Sequence, residues 1–203
     1  MQIDLNKRIL TDCDGCLLNW EYAFRLWIAE HGYHPQNDHG KFHYDLAHTY
    51  EISSDEMMDL VRAFNESAAI GFLPPLRDAM YYVKKLHEEH GYYFHAITSL
   101  GDDPNAAKLR EMNLKKLFGD TTFERVVCLP MSTPKNNILA QYKEEGYDGF
   151  WIEDKISNAV AGADLGFETL LMEHAHNMND PHPSYTIVKN WKDIYEIIIN
   201  TDE

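Results

Sequence analysis

The sequence predicts an α/β fold in which helices cover both faces of a parallel sheet. Three observations point there. From residue 76 onward, helical and strand patterns alternate along the chain. The short apolar run Arg8-Ile9-Leu10-Thr11 stops abruptly at Asp12-Cys13-Asp14-Gly15, as a buried strand ending in a turn would. Residues 18–73 carry no clear strand and instead show helical spacing. The chain therefore reads as a Rossmann-like core made of residues 1–17 and 74–203, with a helical lobe of residues 18–73 inserted after the first strand.

Each element has its own signal. Residues 1–7 read as an exposed lead-in and Arg8 to Thr11 as a strand. Trp20, Phe24, Trp27 and Ile28 recur at helical spacing, and Gly32 follows as a left-handed cap. Ser53 with Glu56 three residues on is a capping box, opening a helix with Met57, Leu60, Val61 and Phe64 on one stripe that is expected to end at Gly71. Pro74-Pro75 punctuates the chain. Asp78 to His90 reads as a helix closed by Gly91, Tyr92 to Ile97 as a strand ending at Thr98-Ser99, and Asn105 to Met112 as a short helix. Val126 to Leu129 is a strand. Thr133-Pro134 looks like an N-cap with proline at the first helical position, opening a helix to Glu145. Phe150-Trp151-Ile152 is a strand ending in Glu153-Asp154. Ser157 to Leu165 is a helix, Thr169 to Met172 a strand, and Lys192 to Ile199 a terminal helix.

Composition excludes several function classes. The chain has 203 residues, 44% of them hydrophobic, enough for a core domain with an inserted lobe. A net charge of −15 argues against binding to a nucleic-acid polymer, which needs a basic surface to replace phosphate counterions, but not against a small phosphorylated ligand in a locally positive pocket. No apolar run reaches membrane-spanning length and no secretory segment opens the chain, so the expected location is cytoplasmic. An oligomer is compatible with the sequence. Three cysteines do not make a disulfide framework; Cys13 and Cys16 are expected to be small buried packing residues. His31, His34, His39, His43, His48, His174, His176 and His182 lack zinc-site spacing and are expected to be loop or solvated histidines, with His174 and His176 at the rim of a site.

Residues two apart on a strand point the same way, so Asp12 and Asp14 can converge on one small site. Two crowded carboxylates repel unless a cation lies between them, and Mg²⁺ takes few carboxylates alongside a substrate phosphate. The same tetrad also occurs in plain turns and calcium loops, but Cys16 to Trp20 offers none of the further ligands an EF-hand needs. In open parallel sheets ligands lie beyond the carboxyl ends of the strands. Here those ends carry Asp12 and Asp14, then Thr98-Ser99, then Glu153-Asp154. Lys135, expected in the first turn of a helix where the dipole disfavours a cation, is accounted for if it faces an anion. Such a set suits phosphoryl transfer: a carboxylate to attack phosphorus, another to handle protons, a bridging cation, and hydroxyl and ammonium groups on the phosphate oxygens.

The order Asp12-x-Asp14-Gly15, Thr98-Ser99, Lys135, and Glu153-Asp154 with Asn158 resembles the haloacid dehalogenase superfamily over essentially the whole chain. The resemblance implies roles. Asp12 would be the nucleophile that forms an aspartyl-phosphate, and Asp14 the general acid and base. Asp154, Asp12 and the carbonyl of Asp14 would bind Mg²⁺, with Glu153 ligating or supporting. Thr98 and Lys135 would hold phosphoryl oxygens, and Ser99 and Asn158 would support. Asn158 stands where the family often has an acid, and Cys16 where it often has Thr. Dehalogenases in the superfamily do not need the second aspartate, so Asp14 favours phosphate chemistry. The lobe at 18–73 looks like a cap. Asp-Gly-Cys-Leu-Leu-Asn-Trp with an aromatic-rich cap is most similar to the 5'(3')-deoxyribonucleotidase branch. This implies a Mg²⁺-dependent phosphomonoesterase acting on a (deoxy)nucleoside monophosphate, with Trp20, Phe24, Trp27, Phe42 and Tyr44 as the pool for stacking on the base; helical spacing fits these aromatics equally well as cap core. A sugar-phosphate or other small-metabolite phosphatase, a phosphomutase, and a non-catalytic binder of the same fold are the alternatives.

Overall fold

The computed structural model describes residues 7–36, 46–178 and 182–201. His39, Phe42, His43, Tyr44 and nearly all of the lead-in lie outside the described residues. The elements run β1 (Arg8–Thr11), α1 (Trp20–Glu30), α2 (Leu46–Tyr50), α3 (Ser54–Asn65), a 3-10 helix (Ala68–Phe72), α4 (Ala79–His90), β2 (Tyr93–Thr98), α5 (Pro104–Phe118), β3 (Phe123–Cys128), α6 (Asn136–Glu144), β4 (Phe150–Glu153), α7 (Ile156–Asp164), β5 (Glu168–Met172), β6 (Thr186–Val188) and α8 (Trp191–Thr201).

The six strands form one parallel sheet in the order β3-β2-β1-β4-β5-β6. Alternation along β1 sends neighbouring residues to opposite faces. Ile9 joins a core with Phe94, Val83, Leu86, Ile194 and Ile198, beneath α4 and α8. Leu10 joins a second core with Ile97, Trp151, Leu139 and Tyr142, beneath α6. Both faces are therefore covered, as the alternating pattern requires.

The order of strands places the site. From β1 the chain builds outward through β2 and β3, then returns to place β4 on the other side of β1 and builds the opposite way. The crevice beyond the carboxyl ends of β1 and β4 is the switch point of the sheet, where helices leave on both sides. Leu10 pairs with Trp151 and Thr11 with Ile152, so Asp12 and Glu153-Asp154 emerge side by side. The Asp12 amide extends this pairing by donating to the Ile152 carbonyl at 2.8 Å.

Among the described residues of 18–73 the regular elements are all helices, joined by turns. Their entry and exit lie together: Asn19 N donates to Pro74 O at 2.9 Å and Leu76 N to Leu17 O at 2.8 Å. Phe24 and Phe64, from α1 and α3, are fully buried and share one continuous core with Ile9 and Phe94.

Several expected boundaries are corrected. The helix opened by Ser53 ends at Asn65, not Gly71; a separate 3-10 turn carries Gly71. Only half of the capping box forms: Ser53 Oγ accepts from Glu56 N at 3.2 Å, while the Glu56 carboxylate accepts from Tyr33 Oη. The helix expected over Asn105–Met112 runs from Pro104 to Phe118, with Asp103 as its N-cap. The strand expected at Val126–Leu129 starts at Phe123. The helix expected from Thr133-Pro134 starts at Asn136, with Lys135 as its N-cap residue. Two short elements, α2 and β6, carry too few residues for periodicity to mark them.

Candidate active site

β1 ends by delivering Asp12 into the crevice, and the next residues fold sharply back. The Cys13 carbonyl accepts from Leu17 N and from Leu18 N, both at 2.8 Å. Gly15 sits at φ 77°, the left-handed region, and a Cβ there would overlap the Asp154 carboxylate. Glycine at this position thus satisfies the turn and makes room for a second acid. Cys13 and Cys16 are fully buried under the turn, and burial pushes both thiols well above their ordinary range.

Three carboxylates gather at the switch point. Asp12, Glu153 and Asp154 each offer an oxygen within 4.8 Å of the others, a set that could hold a metal ion. Among them stands the Lys135 ammonium, 2.6 Å from Asp12 Oδ2 and 2.8 Å from Glu153 Oε2. Glu153 is fully buried, and its other oxygen accepts from the amides of Asp154 at 3.2 Å and Lys155 at 3.0 Å. That arrangement makes Glu153 the anchor for Lys135 and for the turn leading into α7. Asp12 Oδ1 accepts from the Cys13 amide at 2.6 Å. Asp154 keeps the freest carboxylate of the three.

The charges do not balance. With all three ionised, the carboxylates outnumber the one ammonium by two formal negative charges, the demand a divalent cation meets. Burial pushes Asp12 well above the ordinary carboxylate range, opposed by Lys135. Burial and the Asp12 charge push Asp154 up to about 7. Burial pulls Lys135 down, but Asp12 and Glu153 together hold it protonated above its ordinary value. The donor set, all carboxylate oxygens, has the chemistry of a hard divalent cation's ligands.

Asp14 has a different partner. Both its oxygens are taken by the guanidinium of Arg110 on α5, Oδ1 by Nη1 and Oδ2 by Nη2 at 3.0 Å. Thr98 Oγ1 also points at Asp14 Oδ2, at 3.4 Å. Ser99 Oγ donates to the Thr133 carbonyl at 3.1 Å. Asn158 is buried on α7, with its carbonyl accepting from Trp151 Nε1 at 3.1 Å. All of Asp12, Asp14, Thr98, Ser99, Lys135, Glu153, Asp154 and Asn158 line one cavity of about 800 Å³.

The rest of that cavity is a wall of mixed chemistry. Trp20, Met57, Met58 and Val61 from the inserted helices form an apolar side, and Asn65 lies among them. Asn65 is buried and ties the insert to the core: Oδ1 accepts from Trp20 Nε1 and Nδ2 donates to Leu100 O, both at 3.0 Å. Of the aromatic pool, Trp20 alone among the described residues lines the cavity. Phe24 stacks under Trp20 at 4.7 Å and is fully buried, so it is core. Trp27 packs against Phe64 and His31 instead. Phe42 and Tyr44 lie outside the described residues.

His174 and His176 do line the cavity, stacked with ring centres 5.4 Å apart. His174 Nε2 sits 2.7 Å from the Gly15 carbonyl, so the ring donates there. Burial lowers His174 to about 4, which keeps it neutral in that role near pH 7. Three residues were missed from sequence: Arg110, which holds Asp14 from outside the cavity, and Asn65 and Arg77 in the cavity lining. Arg110 had a legible signal, since it falls on the buried stripe Ala106, Arg110, Asn113, Leu114, Phe118 of α5.

No family model matches the chain. An uncharacterized 32.4 kDa protein of Enterobacteria phage T4 is 30% identical over 156 residues, covering 70% of this chain and 51% of that protein. The chain thus spans about half the length of the curated relative it matches. A haloacid dehalogenase-like hydrolase from Streptococcus pneumoniae superposes with a TM-score of 0.63 at 17% identity, covering 94% of this chain and 98% of its own. CbbY from Rhodobacter sphaeroides, solved with phosphate, gives 0.61 at 14% identity over 93% and 96%. The D,D-heptose 1.7-bisphosphate phosphatase from B. bronchiseptica, solved with magnesium and phosphate, gives 0.59 at 11% over 96% and 99%. Strand order, switch-point crevice and these likenesses together show that the chain has the haloacid dehalogenase-like hydrolase fold.

Proposed function

We propose that this chain is a Mg²⁺-dependent phosphomonoesterase that cleaves a small phosphorylated metabolite, a (deoxy)nucleoside monophosphate, through an aspartyl-phosphate on Asp12. The observation that carries the reading is the cluster of Asp12, Glu153 and Asp154 around Lys135, with two negative charges left over at the mouth of the crevice. A bound Mg²⁺ would supply charge neutralisation between these carboxylates and the phosphate oxygens.

The chain's own residues divide the remaining work. Lys135 holds the Asp12 carboxylate in one orientation and offers its charge to the phosphoryl group. Asp12 Oδ attacks phosphorus as the ester P–O bond breaks. Asp14 gives a proton to the departing oxygen, then takes one from the water that cleaves the aspartyl-phosphate. Thr98 and Ser99, which line the cavity, would face the phosphoryl oxygens. Asp154 and one Asp12 oxygen would hold the cation, and Glu153 fixes Lys135. The described helices of the insert would act as a cap, entering and leaving the core where Leu17 to Asn19 pairs with Pro74 to Leu76. Closure of such a lobe excludes water from the site and sets specificity. Trp20, Met57, Met58 and Val61, which line the same cavity as the acids, offer apolar surface suited to a base.

The test is a panel of phosphate esters with Mg²⁺ and with chelator. Hydrolysis that needs the cation and is fastest on deoxynucleoside monophosphates is the expected result. Equal turnover of sugar phosphates and nucleotides would overturn the nucleotide assignment, and no cation-dependent turnover of any ester would overturn the enzyme.

A further inference from the structure

We propose that Arg110 is a positioning residue: it aims the Asp14 carboxylate at the reacting oxygen and keeps it apart from the acids Asp12, Glu153 and Asp154. The inference rests on the phosphoesterase reading above, and it concerns a residue outside the cavity. Arg110 is fully buried and does not line the cavity, whereas Asp14 does, with about a quarter of its side chain open (27%). Whatever Arg110 does to a substrate, it does through Asp14.

The geometry is that of a fork on a carboxylate. Both Asp14 oxygens are engaged by the two terminal nitrogens of the guanidinium, which fixes the plane of the carboxylate as a single contact could not. Thr98 Oγ1 restrains one of the same oxygens. Arg110 spends no other hydrogen bond: its Nε has no partner among the described residues. A charge buried at such a cost, with all of its bonds on one cavity-facing acid, serves that acid. It is not needed to fasten α5. That helix is held by buried Ala106, Leu114 and Phe118, and by Asn113 Nδ2 donating to Leu73 O at 3.0 Å.

A second consequence concerns the division of labour. Asp12 and Asp14 stand two residues apart, and a cation shared by Asp12 and Asp154 would attract Asp14 as well. Arg110 gives Asp14 a counter-ion of its own on the far side. One aspartate is thereby left for nucleophilic attack on phosphorus, and the other is held for proton transfer. In the first step the P–O bond to Asp12 forms, the ester P–O bond breaks, and the Asp14 proton passes to the departing oxygen. In the second, water attacks phosphorus, its proton returns to Asp14, and Asp12 is released with inorganic phosphate.

The experiment compares kcat/KM for an alkyl phosphate, a deoxynucleoside monophosphate, with that for p-nitrophenyl phosphate. The aryl ester expels a stabilised phenolate that needs little protonation. Arg110→Met, close in volume, should lower kcat/KM on the alkyl ester at least about tenfold more than on the aryl ester, within the span of roughly 10²–10⁴ that a general acid supplies. Arg110→Lys, which keeps the charge but not the fork, should fall between. In an Asp14→Asn background, Arg110→Met should add less than about threefold, because its only route to the substrate is already gone. Equal losses on both esters, or a full further loss in the Asp14→Asn background, would mark Arg110 as a structural residue and overturn the proposal. If Arg110→Met does not fold, Arg110→Lys and the Asp14→Asn pair carry the same comparison. A wild-type protein that hydrolyses neither ester would overturn the phosphoesterase reading itself, and the role of Arg110 with it.

Discussion

Replacing Lys135 by methionine removes one ammonium and leaves three buried acids facing each other. Lys135 is 1% exposed, and its contacts to Asp12 and Glu153 measure 2.6 and 2.8 Å. Losing one partner of a buried, hydrogen-bonded ion pair costs about 3–5 kcal/mol, because the other charges stay buried without compensation. A domain of this size shifts its Tm by about 2–4 °C per kcal/mol, so the variant should melt roughly 6–20 °C below wild type in chelator at neutral pH. Total stability is about 5–15 kcal/mol, so the variant should still fold. Lys192→Met is the control: its pair with Glu196, at 3.6 Å, is well exposed, and such pairs contribute at most about 1 kcal/mol. Thermal unfolding by circular dichroism reads both variants. Adding Mg²⁺ should narrow the Lys135→Met deficit, since the variant presents one more uncompensated negative charge and binds the cation more tightly than wild type. A Tm within about 2 °C of wild type in chelator would refute the claim that Lys135 neutralises the acids. So would a deficit that Mg²⁺ leaves untouched.

Two further outcomes follow from the same cluster. Asp154 is raised to about 7 in the metal-free fold by burial and by Asp12, so its proton stabilises the apo protein below about pH 4 and that contribution is lost as pH rises through about 7. A cation must displace that proton, so Mg²⁺ affinity should strengthen up to about tenfold per pH unit below about 7 and level off above; calorimetric titration showing equal affinity at about pH 5.5 and about pH 7.5 would refute this. Gly15→Ala places a Cβ against the Asp154 carboxylate at φ 77° and should abolish Mg²⁺ binding while costing about 1–2 kcal/mol in backbone strain; undiminished binding by the same titration would contradict the tight approach of the two loops.

Much of the core was readable because its signals are local. Arg8 to Thr11 is a short buried run ending at acids, and the alternation after residue 76 leaves a parallel sheet as the expected fold. The convergence of Asp12 with Glu153-Asp154 followed from a general rule about strand ends, and the switch between β1 and β4 is its physical reason. Lys135 was expected in the first turn of a helix, facing an anion. It is the N-cap residue of α6, and the anions it faces are the protein's own acids. Arg110 escaped because the helix carrying it was ended at Met112, which cut the buried stripe before Asn113, Leu114 and Phe118 could show that a charge lay on it. Phe24 and Trp27 belong to the stripe that packs α1, and spacing along one helix does not tell a ring facing a cavity from a ring facing Phe64. Asn65 joins Trp20 to Leu100, a link between segments far apart in the chain that no local pattern announces.

The central claim is that Asp12 itself carries the phosphoryl group. Wild-type protein mixed with phosphorus-labelled deoxynucleoside monophosphate and Mg²⁺, quenched in acid and digested, should yield label on the peptide containing Asp12. Asp12→Asn, whose amide is a poor nucleophile of the same shape, should lose both the label and the turnover. Cation-dependent hydrolysis by Asp12→Asn at close to the wild-type rate would contradict the account.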